Sequence, residues 1–300
     1  MGIPMGMPLR RGNLACIVGQ SSQGKSLLAA TVACTVRDNI KQRDGTGNVF
    51  VFMTEESVEA RQVQMFGDGK VSIDKVMSGT ASMERLADNI EKVRGDPVYF
   101  IGESATLENL DTADLNRGVL TPGSIAATIQ TMIVDGGIMP ELIIIDHIHD
   151  LASDHSARST QERHDQVGMD LVGLVKHLSA VCPCLFLCQT TKSVSGRLKT
   201  VKDQTPDMYD ISYMSSIIQK ATYIYGVSWP KSFTDEAVEC VNGTFMPGPG
   251  LFTVNGAKVR YGRGRGEIHG MMATDERGDW RGILSFPRNQ SESARRLNHA

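Results

Sequence analysis

Eight consecutive residues near the start of the chain, Gly19-Gln20-Ser21-Ser22-Gln23-Gly24-Lys25-Ser26, have the types and spacing to hold a polyphosphate. The two glycines let the backbone curl until several N–H groups converge on an anion, and a helix starting after Lys25 would add its positive end. Lys25 can reach the β- and γ-phosphates of a nucleotide, and the Ser26 hydroxyl can ligate Mg²⁺. The flanking sequence fits: residues 14–18 (Leu-Ala-Cys-Ile-Val) form a short apolar run, and a Leu- and Ala-rich stretch opens at Leu27. Residues 19–27 are therefore expected to contact ATP, between a buried strand and a helix.

A second run, Leu142-Ile143-Ile144-Ile145-Asp146, ends in a carboxylate. Ligands of parallel sheets sit beyond the carboxyl ends of the strands. Asp146 is thus expected on the same edge as the phosphate loop, holding Mg²⁺ through water. The neighbouring His147 and His149 resemble a metal pair, but no third ligand stands in register with them.

Such residues must be positioned by a sheet, and the chain carries the strands for one. Short apolar runs recur at residues 14–18, 49–53, 98–101, 142–145 and 184–188. They do not alternate polar with apolar, so both faces of each strand should be covered, as in a parallel sheet between helices. Helical segments fall at 26–41, 58–64, 82–93, 123–134 and 161–178. Strand and helix alternate, which predicts an α/β core with right-handed crossovers. The last quarter differs. Strands are expected at 223–227, 267–272 and 283–286, with Gly- and Pro-rich hairpins and mobile loops over 242–266. Residues 1–289 read as one domain and 290–300 as a flexible tail.

Composition narrows the class. The 300 residues are 41% hydrophobic and 22% charged, ordinary for a globular chain. A net charge of -3 excludes a chain that is basic throughout but leaves room for a local basic strip. Five of the six cysteines lie in apolar segments and none forms a CxxC pair, so they read as buried thiols in a reducing compartment. No apolar run approaches the roughly 20 residues of a membrane span, and a cytoplasmic location is expected.

Across residues 2–286 the sequence resembles the RecA-like motor domain of DnaB-type replicative helicases. Phe52-Met53-Thr54-Glu55-Glu56 is similar to the family's F-S-L-E-M, which makes Glu55 the catalytic glutamate that orients the attacking water, with Glu56 as its rival. Leu120-Thr121-Pro122 resembles the family's Leu-Thr-Pro before a helix. Asp146-His147-Ile148-His149-Asp150-Leu151 resembles I-D-Y-L-Q-L, with His149 where glutamine is usual. Leu187-Cys188-Gln189 resembles L-S-Q, whose glutamine could sense the γ-phosphate. Asp275-Glu276-Arg277-Gly278 resembles the K-Q-R-N-G hairpin, whose arginine reaches the neighbouring subunit's ATP. Arg277 is the candidate finger, with Arg281, Arg263 and Arg265 as fallbacks; Asp275 stands where the family has lysine, a departure at the trans site.

The resemblance implies ATP and Mg²⁺ as cofactors, a homo-oligomer in the form of a hexameric ring, and single-stranded DNA as partner. The loops after the two central strands, residues 153–165 and 190–209, would face the strand. The second carries Lys192, Arg197, Lys199 and Lys202, phosphate-binding charge with few aromatics nearby. Tyr261-Gly262-Arg263-Gly264-Arg265-Gly266 is a further candidate contact. The family's N-terminal primase-interacting domain and linker helix find no counterpart here, so a separate chain is a candidate source of those functions. A nucleotide-switched assembly or regulatory ATPase of the KaiC or recombinase sort is the competing expectation.

Overall fold

The computed structural model describes residues 9–43, 45–54, 79–80, 82–84, 87, 95–102, 119–191, 205–240, 243–248, 251–259 and 268–273. The expected helix at 58–64, most of that at 82–93, the strand at 283–286 and the tail at 290–300 lie outside these residues.

Within them, the apolar runs are strands: β1 (Leu14–Gly19), β2 (Gly47–Met53), β3 (Val98–Gly102), β4 (Met139–Asp146), β5 (Cys184–Gln189) and β6 (Tyr223–Ser228). All six run parallel in one sheet. Its order is β10-β9-β6-β1-β5-β4-β2-β3, with β9 (Leu251–Val259) and β10 (Ile268–Ala273) added antiparallel at one side. A separate hairpin pairs β7 (Val238–Cys240) with β8 (Gly243–Phe245).

Successive strand residues point to opposite faces, and both faces are apolar. Ala15, Ile17, Val49, Val51, Leu142, Ile144, Leu185 and Leu187 pack under helix α1 (Lys25–Gln42). Leu14, Cys16, Val18, Phe50, Phe52, Ile143, Ile145 and Phe186 pack on the other face, under α2 (Pro122–Val134), α3 (Thr160–Leu178) and the short α4 (Ser215–Lys220). This two-sided burial is why the strands read as continuous apolar runs rather than alternating ones.

Local signals set the helix starts. Thr121 caps α2 by accepting from Ser124 N–H at 3.0 Å, while Ser124 Oγ accepts from Thr121 N–H, with Pro122 in the first turn. Ser159 caps α3 through Glu162 N–H at 3.1 Å. The expected helices at 26–41, 123–134 and 161–178 therefore agree with the observed ones to within a residue.

The far side of the sheet departs from expectation. Residues 251–259, expected among hairpins and mobile loops, form a nine-residue strand that pairs with β6 and β10. Non-local pairing to β6 overrides the local Gly and Asn signals: Gly256 falls at a register shift opposite Tyr225, where an irregular strand suits glycine. The five cysteines whose surroundings are described are buried free thiols. Cys16 and Cys184 are held well above their ordinary pKa by hydrogen bonds with Cys188 and Cys182 and by burial, so neither is a reactive thiolate.

Candidate functional site

The site forms where four parallel strands end side by side. β1 lies next to β5 with Gly19 opposite Gln189, and β2 lies next to β4 with Met53 opposite Asp146. β4 and β5 are themselves neighbours, in register from Ile143 opposite Cys184 to Ile145 opposite Phe186. Adjacent strands are about 5 Å apart, so the phosphate loop, Asp146 and Gln189 share one short stretch of sheet edge.

The loop after β1 turns sharply into α1. Gly24, at the helix N-cap, has φ 87, and Ser22 has φ 60. The left-handed conformation at Gly24 favours glycine, and a Cβ there would lie 2.6 Å from the ring of Phe252 on β9. A Cβ on Gly19 would crowd the Lys25 stem and the Val227 carbonyl at 3.0 Å. Helix α1 has no side-chain cap and no acidic residue in its first turn. Its N-terminal end is thus a cradle for an anion, with Lys25 and Ser26 in that turn and Leu27 packed against the core. Lys25 is buried and its Nζ donates to the Gln20 carbonyl at 2.8 Å, so the ammonium is folded over the loop. Gln23 holds the loop from outside: its Oε1 accepts from Trp229 N–H at 2.6 Å and its Nε2 donates to Ser232 Oγ at 3.1 Å. Ser21 occupies the exposed crest between them.

Asp146 is buried at the end of β4. The backbone around it is clamped by Thr54, the residue before Glu55. Thr54 N–H donates to the Asp146 carbonyl at 2.9 Å, its hydroxyl donates to the His147 carbonyl at 3.0 Å, and His147 N–H donates back to that hydroxyl at 3.0 Å. Thr54 thus fixes the end of β2 relative to Asp146. Glu55 and Glu56 themselves lie outside the described residues, as do Lys192, Arg197, Lys199, Lys202, Arg263, Arg265, Arg277 and Arg281.

His149 is buried beside Gln189. Its Nδ1 accepts from Gln189 N–H at 3.2 Å, which places the ring proton on Nε2, and Nε2 donates to the Ser212 carbonyl at 2.9 Å. Burial is the main cause that lowers its pKa to about 4, aided by His147, His164 and Lys25 and opposed by the bond to Ser212, so the ring is neutral near pH 7. His164 is shifted in the same direction by burial and by Arg163. Both nitrogens of His149 are engaged, which leaves no lone pair for a metal. Among the described residues, no group of three or more His, Cys, Asp or Glu is arranged to hold one.

The structure therefore brings together residues 19–27, Asp146 and Gln189, all expected from sequence. Thr54, His149 and the Gln23 anchor were not foreseen in these roles. Their bonds run to residues far along the chain, and no local pattern announces them.

Residues 5–244 match the family model described as DnaB-like helicase C terminal domain. The chain belongs to that family. Among solved structures, one described as an ATPase domain superposes with a TM-score of 0.68 at 17% identity, covering 96% of this chain and 92% of that one. Another, described as a DnaB-like replicative helicase and its interactions with primase, superposes with a TM-score of 0.65 at 18% identity, over 93% of this chain and 61% of that one. At such identities the likeness shows the shared fold, a RecA-like P-loop sheet with flanking helices. No curated protein matches the chain by sequence. No helix among the described residues is long and apolar enough to cross a membrane.

Proposed function

We propose that this DnaB-like domain binds ATP with Mg²⁺ at the phosphate loop, hydrolyses it, and uses the cycle to move along single-stranded DNA as a ring-forming motor. The observation that carries this reading is the common edge itself. An uncapped helix N-terminus with a buried lysine, a carboxylate and a glutamine end within neighbouring strands. Residues 19–27 would cradle the triphosphate, with Lys25 compensating charge on the β- and γ-oxygens. Mg²⁺ commonly keeps several waters and is held by few protein groups plus phosphates, which fits a Ser26 hydroxyl and an Asp146 carboxylate acting through water. Glu55, the next residue in the chain after the Thr54 clamp, would orient the attacking water. Gln189 would report on the γ-phosphate from the adjacent strand.

The DNA strand would meet Lys192, Arg197, Lys199 and Lys202 on the segment that leaves β5 at Gln189. That segment returns at residues 205–214, where Tyr209 and Tyr213 are 74% and 52% exposed. Arg277 would act on a neighbouring protomer's ATP in a hexameric ring. One measurement tests the reading: ATP turnover with and without single-stranded DNA, with native mass recorded on the same samples. Stimulated turnover in a ring, together with strand displacement, supports a motor. ATP turnover in a ring that ignores DNA would favour a nucleotide-switched assembly instead.

A further inference from the structure

The segment between β5 and β6 leaves the site at Gln189 and comes back to it at Ser212. Its two ends are laced together directly above the sheet edge. Thr191 N–H donates to the Asp210 carbonyl at 2.8 Å, Ser212 N–H donates to the Gln189 carbonyl at 3.3 Å, and Thr190 bridges Ile211 in antiparallel fashion. His149, on the loop after the neighbouring strand β4, completes the lacing: it accepts from the Gln189 N–H with one nitrogen and donates to the Ser212 carbonyl with the other. The imidazole thus spans from β4's end to both ends of the segment. It stands on a loop that begins at Asp146 and is itself anchored, since Ile148 N–H donates to the Leu187 carbonyl at 3.1 Å.

The backbone just past Ser212 is held in an unusual state. Tyr213 has φ 53, a left-handed conformation that costs a bulky residue free energy and persists only where neighbours enforce it. Here the enforcing contacts are the His149–Ser212 bond before it and the fully buried Met214 after it, with the His164 ring 5.8 Å from the tyrosine ring. Backbone strained beside a site can have two discrete arrangements, and a rigid ring bonded to both sides is a physical path between them.

We propose that His149 is a positioning residue that couples the nucleotide site to the 205–214 segment, by tying the Gln189 end of β5 to the Ser212 carbonyl. A displacement of Gln189 on nucleotide binding shifts the imidazole and, through it, the backbone at Ser212 and Tyr213. This rests on the nucleotide-site reading given above. His147, His164 and Lys25 bear on the ring, with Asp150 beside His147 and Arg163 beside His164, yet the coupling requires only the neutral tautomer already present.

Hydrogen exchange of the full chain, with and without Mg²⁺ and a non-hydrolysable ATP analogue, tests the proposal. In wild type the analogue should slow exchange of amides in residues 205–214 by about fivefold or more, within the usual range of coupling. His149→Gln can accept from Gln189 and donate to Ser212, and should keep that response. His149→Leu can do neither, and should lose it while the amides of residues 19–27 still respond and the β1, β4 and β5 amides remain slow. If His149→Leu unfolds, His149→Asn, whose shorter amide cannot reach both partners, replaces it. A response at 205–214 that survives in the disrupting variant overturns the proposal. So does a wild type whose phosphate-loop amides are protected while 205–214 does not change. If the loop amides ignore the analogue altogether, the nucleotide-site reading fails, and the coupling fails with it.

Discussion

The two sides of β1 divide the labour of the site. Toward β5, β4 and β2 the strands are parallel, and Gln189 and Asp146 end side by side there with Thr54 beyond β2. Toward β6 and β9 the described residues bring instead Trp229, Ser232, Val227 and Phe252 against the back of the phosphate loop. On the proposed reading, one side would supply chemistry and the other would hold the loop in the shape that chemistry needs. Damage to the first side should cut turnover with little effect on folding. Damage to the second should weaken nucleotide binding or the fold before it touches the chemical step.

The largest effect is expected on the first side. Lys25→Ala should abolish ATP turnover and weaken nucleotide binding, because a buried compensating charge at the phosphates is removed. Turnover at the wild-type rate would show that the loop is not a phosphate site. Next is Arg277→Ala, which should leave ATP binding nearly intact while cutting turnover about 10³-fold, if it serves as an arginine finger. Mixed rings of Lys25→Ala and Arg277→Ala subunits should regain activity at hybrid interfaces. Mixtures that stay inactive while native mass shows mixed rings would place Arg277 outside the neighbour's site.

On the second side, Gly226→Ala should be the most damaging single change to the fold. A Cβ there would lie 1.9 Å from the Pro206 carbonyl oxygen, so backbone must move. A loss of about 3 kcal/mol is expected in denaturant unfolding. An unchanged midpoint would show that the strand and the residue-206 turn are not packed together.

Titration sharpens the comparison from the first side. The pKa of His149 falls from 6.5 to about 4 on burial, so the folded state binds fewer protons than the unfolded chain between these values. Stability is therefore full above about pH 6.5 and declines as pH drops toward about 4, by on the order of 3 kcal/mol from this one residue. His149→Gln has no such titration. Its stability should fall less steeply than that of wild type over this window, and parallel curves would mean the ring is not held neutral.

How much of this was legible in the sequence tracks the same division. The strands on the first side announced themselves because both of their faces are buried, and the phosphate loop, Asp146 and Gln189 because their neighbours in the chain carry the pattern. The supports were silent. Gln23 meets Trp229 and Ser232 across 206 and 209 positions of sequence, and Phe252 reaches Gly24 from a strand hidden among Gly and Pro. Thr54 stood within a motif that was read for its glutamates, yet its clamp depends on β2 and β4 being neighbours in the sheet. Local spacing can mark a group that acts; a group that merely holds another in place is marked by topology.

The smallest expected effect tests that last point. Gln23→Ala removes both bonds from the loop to the β6 end, and leaves Trp229 N–H without its Gln23 partner in a half-buried place. Each neutral bond contributes on the order of 1 kcal/mol, with more lost when a donor is left unsatisfied. Because the bonds hold the loop rather than touch phosphate, the variant should raise the KM for ATP several-fold while kcat stays close to wild type. Gln23→Glu is the sharper version. A carboxylate can still accept from Trp229 N–H, so it keeps the stronger of the two bonds, but it sets a negative charge beside a loop suited to anions. If the loop is only scaffold, Glu should be milder than Ala. If the loop binds phosphate, Glu should be worse than Ala in KM although its anchor is better, and that reversal separates support from chemistry within one side chain.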